Sequence, residues 1–217
     1  MQKIVIINTR CANFSSVMMA LRRLGCEAVV SDEAEAIRNA DKLILPGVGT
    51  AAAGMENIEK YHLKELITET RKPLLGICLG MQLLSSMSSE NAGTGSQEIS
   101  CLGVVPGTVS LLKAGSLRLP HMGWEQVDVL GDCPLFRGIP NHSYFYFVHS
   151  YALSLTDKTA ASCTYGEKFT ACVNNGNFFG VQFHPEKSGP IGAKLLQQRL
   201  QSPAGRFFSS IILPTPH

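Results

Sequence analysis

The chain has 217 residues, 45% of them hydrophobic and 17% charged, with a formal net charge of +2. Those fractions exclude a disordered chain, and no apolar run reaches the ~18 residues of a membrane span. A charge this close to balance, spread along the chain, gives no basic footprint for nucleic acid.

In chain order, Lys3–Ile7 is a short apolar run that suits a strand buried on both faces. It reads as a first strand, not as the start of a signal peptide. Val17–Leu24 has apolar residues at helical spacing, with Gly25 as its C-cap. Ala28–Val30 is a second strand and Asp32 opens a short polar helix. Lys42–Leu45 is a third strand, ended by Pro46-Gly47, and helices follow over Ala51–Tyr61 and Leu63–Thr70. Leu74–Ile77 is a fourth strand, and Leu79–Ser86 a helix that starts directly after it. This alternation predicts an α/β fold with a mostly parallel sheet and helices on both faces.

Beyond Ser86 the pattern changes. Asn91–Gln97 is a polar, glycine-containing loop. Strand candidates then come close together: Gly103–Val105, Thr108–Leu112, Glu125–Val129, Tyr144–His149, Thr159–Thr164, Phe169–Val173 and Phe178–Phe183. They predict an antiparallel extension, with Asn175-Gly176 as a hairpin turn. A helix over Ile191–Leu200 closes a single domain of residues 1–201, and 202–217 form a tail with alternating Pro, Gly and apolar residues.

Gly76-Ile77-Cys78-Leu79-Gly80 joins a strand to a helix and has the form of a nucleophile elbow with Cys as nucleophile. The turn must be sharp, so the flanking positions need residues without side chains. A sulfur at such a place sits at a helix N-terminus, where the thiolate is favoured. His184 and Glu186 lie two apart in an extended Phe183-His184-Pro185-Glu186 segment and so face one side. A carboxylate beside an imidazole fixes its tautomer and stabilises the imidazolium. The glycines of Pro46-Gly47-Val48-Gly49 leave backbone N–H groups available for an oxyanion, with Leu79 N–H as a further donor. Gly54 comes too late to complete a dinucleotide fingerprint. The cysteines at positions 11, 26, 78, 101, 133, 163 and 172 show no metal-ligand spacing. Six read as reduced bystanders in a cytoplasmic protein, and Cys78 as the reactive one.

Gly76–Gln82 with His184-Pro185-Glu186 resembles the class I, or triad, glutamine amidotransferases, which hydrolyse glutamine to glutamate and ammonia. Within that family, Pro46–Gly49, Pro120–Trp124, Tyr144–Tyr151 and His184–Gly189 are similar to the branch that serves imidazole glycerol phosphate synthase of the histidine pathway. The resemblance implies a flavodoxin-like mixed sheet, a Cys78–His184–Glu186 triad, and an oxyanion site at Val48, Gly49 and Leu79. It implies substrate contacts at Gly47, Gln82, Glu90, His149, Ser150 and Tyr151. It also implies a heterodimer with a (β/α)8-barrel synthase that takes the ammonia, docked through Asn13, Trp124, Tyr146 and Lys187. No cofactor, metal, membrane or nucleic acid is implied. A barrel needs about 250 residues, so it is expected on a separate chain. Alternatives are a glutaminase of another pathway, or a binding protein that keeps the fold without catalysis. Arg10 stands where the family often has glycine, Glu125 where Asn is usual, and Cys101-Leu102-Gly103 where Gly-Leu-Gly is common. The tail has no family counterpart.

Overall fold

The computed structural model describes residues 2–10, 12–90 and 98–201. The expected loop over 91–97, Cys11 and the 202–217 tail lie outside the described residues.

The first half alternates as expected: β1 (Ile4–Ile7), α1 (Phe14–Arg23), β2 (Ala28–Ser31), α2 (Ala34–Arg38), β3 (Lys42–Gly47), α3 (Ala51–Lys60), α4 (Lys64–Thr68), β4 (Leu74–Cys78) and α5 (Leu79–Leu83). The second half is strand-rich: β5 (Ser85–Ser88), β6 (Ile99–Ser100), β7 (Val105–Leu111), β8 (His121–Val129), β9 (Ser143–His149), β10 (Tyr151–Leu153), β11 (Thr159–Tyr165), β12 (Glu167–Asn175) and β13 (Phe178–Val181). Helix α6 (Gly189–Gln201) ends the described chain.

One nine-stranded sheet runs β2-β1-β3-β4-β13-β12-β11-β8-β9. It is parallel from β2 to β13 and antiparallel beyond. Alternation sorts its side chains into two cores. Ile4, Ile6, Ile44, Leu75 and Ile77 pack with Val17, Ala20 and Leu21 of α1 and with Leu195 and Leu196 of α6. Val5, Ile7, Leu43, Leu45 and Leu74 pack with Ile37 of α2, Met55 and Ile58 of α3, and Ile67 of α4. Strands buried on both faces must be apolar throughout, which is why β1, β3 and β4 read as continuous runs. A smaller sheet, β10-β7-β5-β6, adds Val105, Val109 and Leu153 to the second core.

Several boundaries move. Helix α1 begins at Phe14, not Val17, because Ser15 and Ser16 occupy its more open side and break the apolar signal. Its end matches the expected glycine cap: Gly25 has φ +74°, Gly25 N–H donates to Arg22 O, and Cys26 N–H donates to Leu21 O. The helix expected to Ser86 stops at Leu83. Serines compete poorly as helix formers, and Ser85–Ser88 instead pair with β6 and β7. The two strands expected around Pro106-Gly107 are one strand, β7, with an irregular register there and Gly107 at φ +120°. Strand β8 starts at His121, earlier than Glu125, and β6 and β10 are additional. The Asn175-Gly176 turn joins β12 to β13, with Gly176 at φ +64°.

At the β4–α5 turn three close approaches replace side chains. A Cβ on Gly76 would lie 2.8 Å from Gly80 O, and one on Gly47 would lie 2.9 Å from Leu79 Cβ. A Cβ on Gly80 would run into the carbonyl of Leu45, which is backbone and has nowhere to go. Gly80→Ala should therefore cost about 3 kcal/mol or more, against about 1–2 kcal/mol for Gly25→Ala, where only the positive φ resists. Thermal unfolding of the two variants checks this. Equal losses would mean that the approach to Leu45 is not a constraint.

Candidate active site

Cys78 ends β4 and caps α5 with φ +54° and ψ −113°, a backbone state that side chains rarely adopt. The turn delivers the sulfur to a place where three segments meet. Gly47 is the register partner of Cys78, so the Gly47-Val48-Gly49 loop leaves β3 directly beside it. Gly49 has φ +96°, and Val48 is exposed. From the antiparallel half, Val148 O of β9 accepts the Cys78 S–H at 3.9 Å.

His184 follows β13 and opens a short 3-10 turn, Pro185–Lys187. Its Nδ1 lies 2.8 Å from Glu186 Oε1, and both side chains are nearly fully buried. Glu186 can only accept there, so Nδ1 carries a hydrogen. Nε2 and Glu186 Oε2 are buried without a hydrogen-bond partner. Burial disfavours charge on the ring, but the pull of Cys78 and then of Glu186 outweighs it and holds His184 up to about 10. At neutral pH His184 therefore carries its proton. Burial pushes the thiol of Cys101 up to about 11 and that of Cys163 up to about 12, which disfavours the reactive thiolate at both.

The backbone around His184 is pinned. His184 N–H donates to Tyr146 O at 2.9 Å. Ser188 Oγ donates to His184 O at 2.7 Å and accepts Tyr146 N–H at 3.0 Å. Asn13, Val48 and Lys187 line one small cavity of about 60 Å3 with Pro46, Gly47, Ile77, His184 and Glu186. Two of the expected docking residues thus sit at the mouth of the site. Trp124 and Tyr146 are cross-strand partners on the outer face of β8 and β9, with ring centroids 5.9 Å apart. Trp124 is 50% exposed, so it is available rather than buried.

Of the expected substrate contacts, Gly47 lines that same cavity. Glu90 Oε2 accepts Ala51 N–H at 3.1 Å, at the start of α3, just past the glycine loop. Burial raises its pKa, with the Ala51 hydrogen bond pulling the other way. Gln82 is buried and donates to Tyr151 O at 2.7 Å. Ser150 O accepts Leu112 N–H at 2.9 Å. His149 is also buried: its Nδ1 donates to Tyr151 O at 2.9 Å, and its Nε2 lies 3.1 Å from His121 Nδ1. Burial lowers His121 to about 4 and His149 to about 3, so both are neutral at pH 7.

Sequence reasoning missed the parts played by Gln182, Ser188 and His121. Gln182 precedes His184 by two and donates to Cys78 Sγ at 3.7 Å. The same spacing that singled out Glu186 could have found it. Arg10 has φ +59°, a state that favours glycine. Its side chain turns to Asp32 at 2.6 Å and lies over the Tyr61 ring.

The raised His184 carries a stability signature. A group held above its ordinary value of 6.5 stabilises the fold fully below that value and loses the contribution as pH rises through about 10. Glu186→Gln removes one of the two groups that hold it there. The variant should be less stable than the parent near pH 6.5, with the gap closing toward pH 10, as measured by denaturant unfolding at each pH. A pH-independent gap would mean that Glu186 acts by packing alone.

The glutamine amidotransferase class-I family matches residues 5–202. Imidazole glycerol phosphate synthase subunit HisH 1 of Vibrio vulnificus (strain YJ016) is 52% identical over 200 residues, covering 92% of this chain and 98% of that protein. The subunit HisH of Yersinia pestis is 49% identical over 198 residues, covering 91% and 98%. Among solved structures, PurLQS from Thermotoga maritima matches with a TM-score of 0.68 at 20% identity, covering 92% and 97%. A glutamine amidotransferase matches at 0.66 and 21%, covering 90% and 96%. The structures speak for the fold; the family match and the close relatives establish that this chain belongs to the class I glutamine amidotransferases.

Proposed function

We propose that the chain is the glutaminase subunit of imidazole glycerol phosphate synthase, hydrolysing glutamine and passing ammonia to a (β/α)8-barrel partner in a heterodimer. The observation that carries the chemistry is one arrangement: Cys78 on a strained elbow, within electrostatic reach of a buried His184 held 2.8 Å from Glu186. The pathway follows from relatives of about half identity whose names specify that synthase.

In this reading the Cys78 thiolate attacks the glutamine side-chain carbonyl. Negative charge grows on the carbonyl oxygen, where the N–H groups of Val48, Gly49 and Leu79 receive it. His184 gives its proton to the departing amine, and ammonia leaves a glutamyl thioester. His184, now neutral, takes a proton from water as the water attacks the thioester, and glutamate departs. Glu186 keeps Nδ1 protonated throughout, so that Nε2 performs both transfers. Gln82, Glu90 and the Gly47 and His149-Ser150-Tyr151 backbone hold the amino acid end.

The product ammonia is a nucleophile only while unprotonated, and bulk water near pH 7 protonates it. A closed route into the partner preserves it. The barrel then joins it to a ribulosyl aminoimidazole carboxamide phosphate substrate. Asn13, Val48 and Lys187 ring the small cavity beside His184, which supports docking at that mouth. Half-exposed Trp124, paired with the partly buried Tyr146, supplies an aromatic anchor beside it. No helix among the described residues is long and apolar enough to cross a membrane, and we place the subunit in the cytoplasm with the rest of its pathway.

Cys78→Ala should abolish glutamine-dependent synthesis by the complex, by about 10⁴-fold or more, while ammonium salts still support turnover. Equal loss of both activities would remove Cys78 from the nucleophile role. Trp124→Ala should weaken barrel binding by about 30-fold, as expected for an aromatic hot spot, with the fold intact. Unchanged affinity by titration calorimetry would place the docking face elsewhere.

A further inference from the structure

Gln182 is fully buried one residue past the end of β13. Its amide reaches the Cys78 sulfur, which also interacts with His184. Its Oε1 accepts Gln82 Nε2 at 2.9 Å, and its Nε2 donates to Cys78 Sγ at 3.7 Å. Gln82 Nε2 also donates to Tyr151 O at 2.7 Å.

The direction of these bonds is forced. Tyr151 O is a backbone carbonyl and can only accept, so the nitrogen of Gln82 must face it. That nitrogen has two hydrogens. The second goes to Gln182, which must therefore present its oxygen to Gln82 and its N–H groups to the sulfur. Tyr151 O is itself fixed by His149 Nδ1–H, and His149 Nε2 accepts from His121 Nδ1–H. The chain thus runs from a buried histidine pair, through one backbone carbonyl and two amides, to the nucleophile. A fully directed network in a dry interior has a single arrangement.

From this geometry we infer that Gln182 stabilises the Cys78 thiolate by an amide N–H, and that Gln82 is a positioning residue that orients Gln182. The inference rests on Cys78 being the nucleophile. An amide N–H bonds a negative sulfur more strongly than a neutral one. Its support is therefore greatest before attack and falls away once the sulfur is acylated. The network also narrows what Gln82 can offer glutamine. Both amide hydrogens are in use, so only Oε1 remains, and an oxygen acceptor suits the substrate's ammonium group rather than its carboxylate.

The test is the pH profile of Cys78 alkylation in the full-length chain, with iodoacetamide as probe and the Cys78 peptide quantified by mass spectrometry. In Gln182→Met the labelling midpoint should rise by about one pH unit, which is about a tenfold loss of labelling below it. In the complex, kcat for glutamine hydrolysis should fall by a similar factor with KM nearly unchanged. Gln182→Glu keeps the volume and the acceptor for Gln82 but sets an oxygen against the sulfur, and should impair labelling at least as far. It carries the test if the methionine variant does not fold. An unmoved midpoint in a folded variant, or an effect on KM alone, overturns the assignment. Separately, wild-type chain that is labelled at Cys78 and keeps full glutaminase activity in the complex would overturn the nucleophile reading itself.

Discussion

The structure depends on one tight passage, the turn from β4 into α5. Cys78 is held at φ +54° while the chain reverses from strand to helix. Such a state costs on the order of 1–3 kcal/mol and persists only where its surroundings leave no alternative. Those surroundings are neighbouring backbone and close-packed side chains. Helix α5 lies so close to β3 that Gly80 faces the Leu45 carbonyl and Gly47 faces Leu79. On the strand side Gly180 of β13 faces the Met81 side chain. The sheet order therefore matters: β3 and β13 flank β4 and clamp its turn from both sides. The same clamp brings the Gly47–Gly49 loop and the His184 turn to the sulfur, because each leaves a strand adjacent to β4.

This explains what could be read without coordinates. Gly76, Cys78 and Gly80 are closely spaced, and the need for small residues at a sharp turn makes their pattern visible locally. His184 and Glu186 are two apart, so strand alternation alone puts them on one side. Strands β1, β3 and β4 announce themselves because burial on both faces demands unbroken apolar runs. Helix starts and the serine-rich β5 were harder, because their signal depends on pairing with residues far along the chain. Ser85–Ser88 has no intrinsic reason to be a strand; it becomes one because Ile99–Ser100 and Val105–Leu111 lie on either side.

The support around Cys78, His184 and Glu186 was the least legible part. Gln82 and Gln182 are a hundred residues apart in sequence, and nothing in either segment alone indicates that their amides meet. His149 and His121 each look like surface-capable histidines until β8 and β9 pair them in register. Once paired, they lie against Phe147, Phe169 and Tyr165, which removes water and keeps both rings neutral. Sequence spacing exposes groups that share an element. Groups that share only a cavity become visible when the sheet order is known.

Strand β9 shows how the two levels combine. It is the last strand of the large sheet and pairs with β8 along one side only. An open strand edge carries unpaired N–H and C=O groups that attract other chains. Here the edge is used inward: Tyr146 N–H and C=O bond Ser188 and His184, and Val148 C=O accepts from Cys78. Alternation then fixes the rest. The side chains of Phe145 and Phe147 enter the core, while Tyr146 must point to the opposite face, beside Trp124. The backbone that bonds Cys78 and His184 is thus the same backbone that carries an aromatic side chain to the outer surface. Any partner that grips Tyr146 and Trp124 takes hold of the strand whose carbonyls touch Cys78 and His184. The Trp124–Tyr146 face and the Cys78 and His184 turns are joined here through single hydrogen bonds, with no intervening layer of side chains to absorb a displacement.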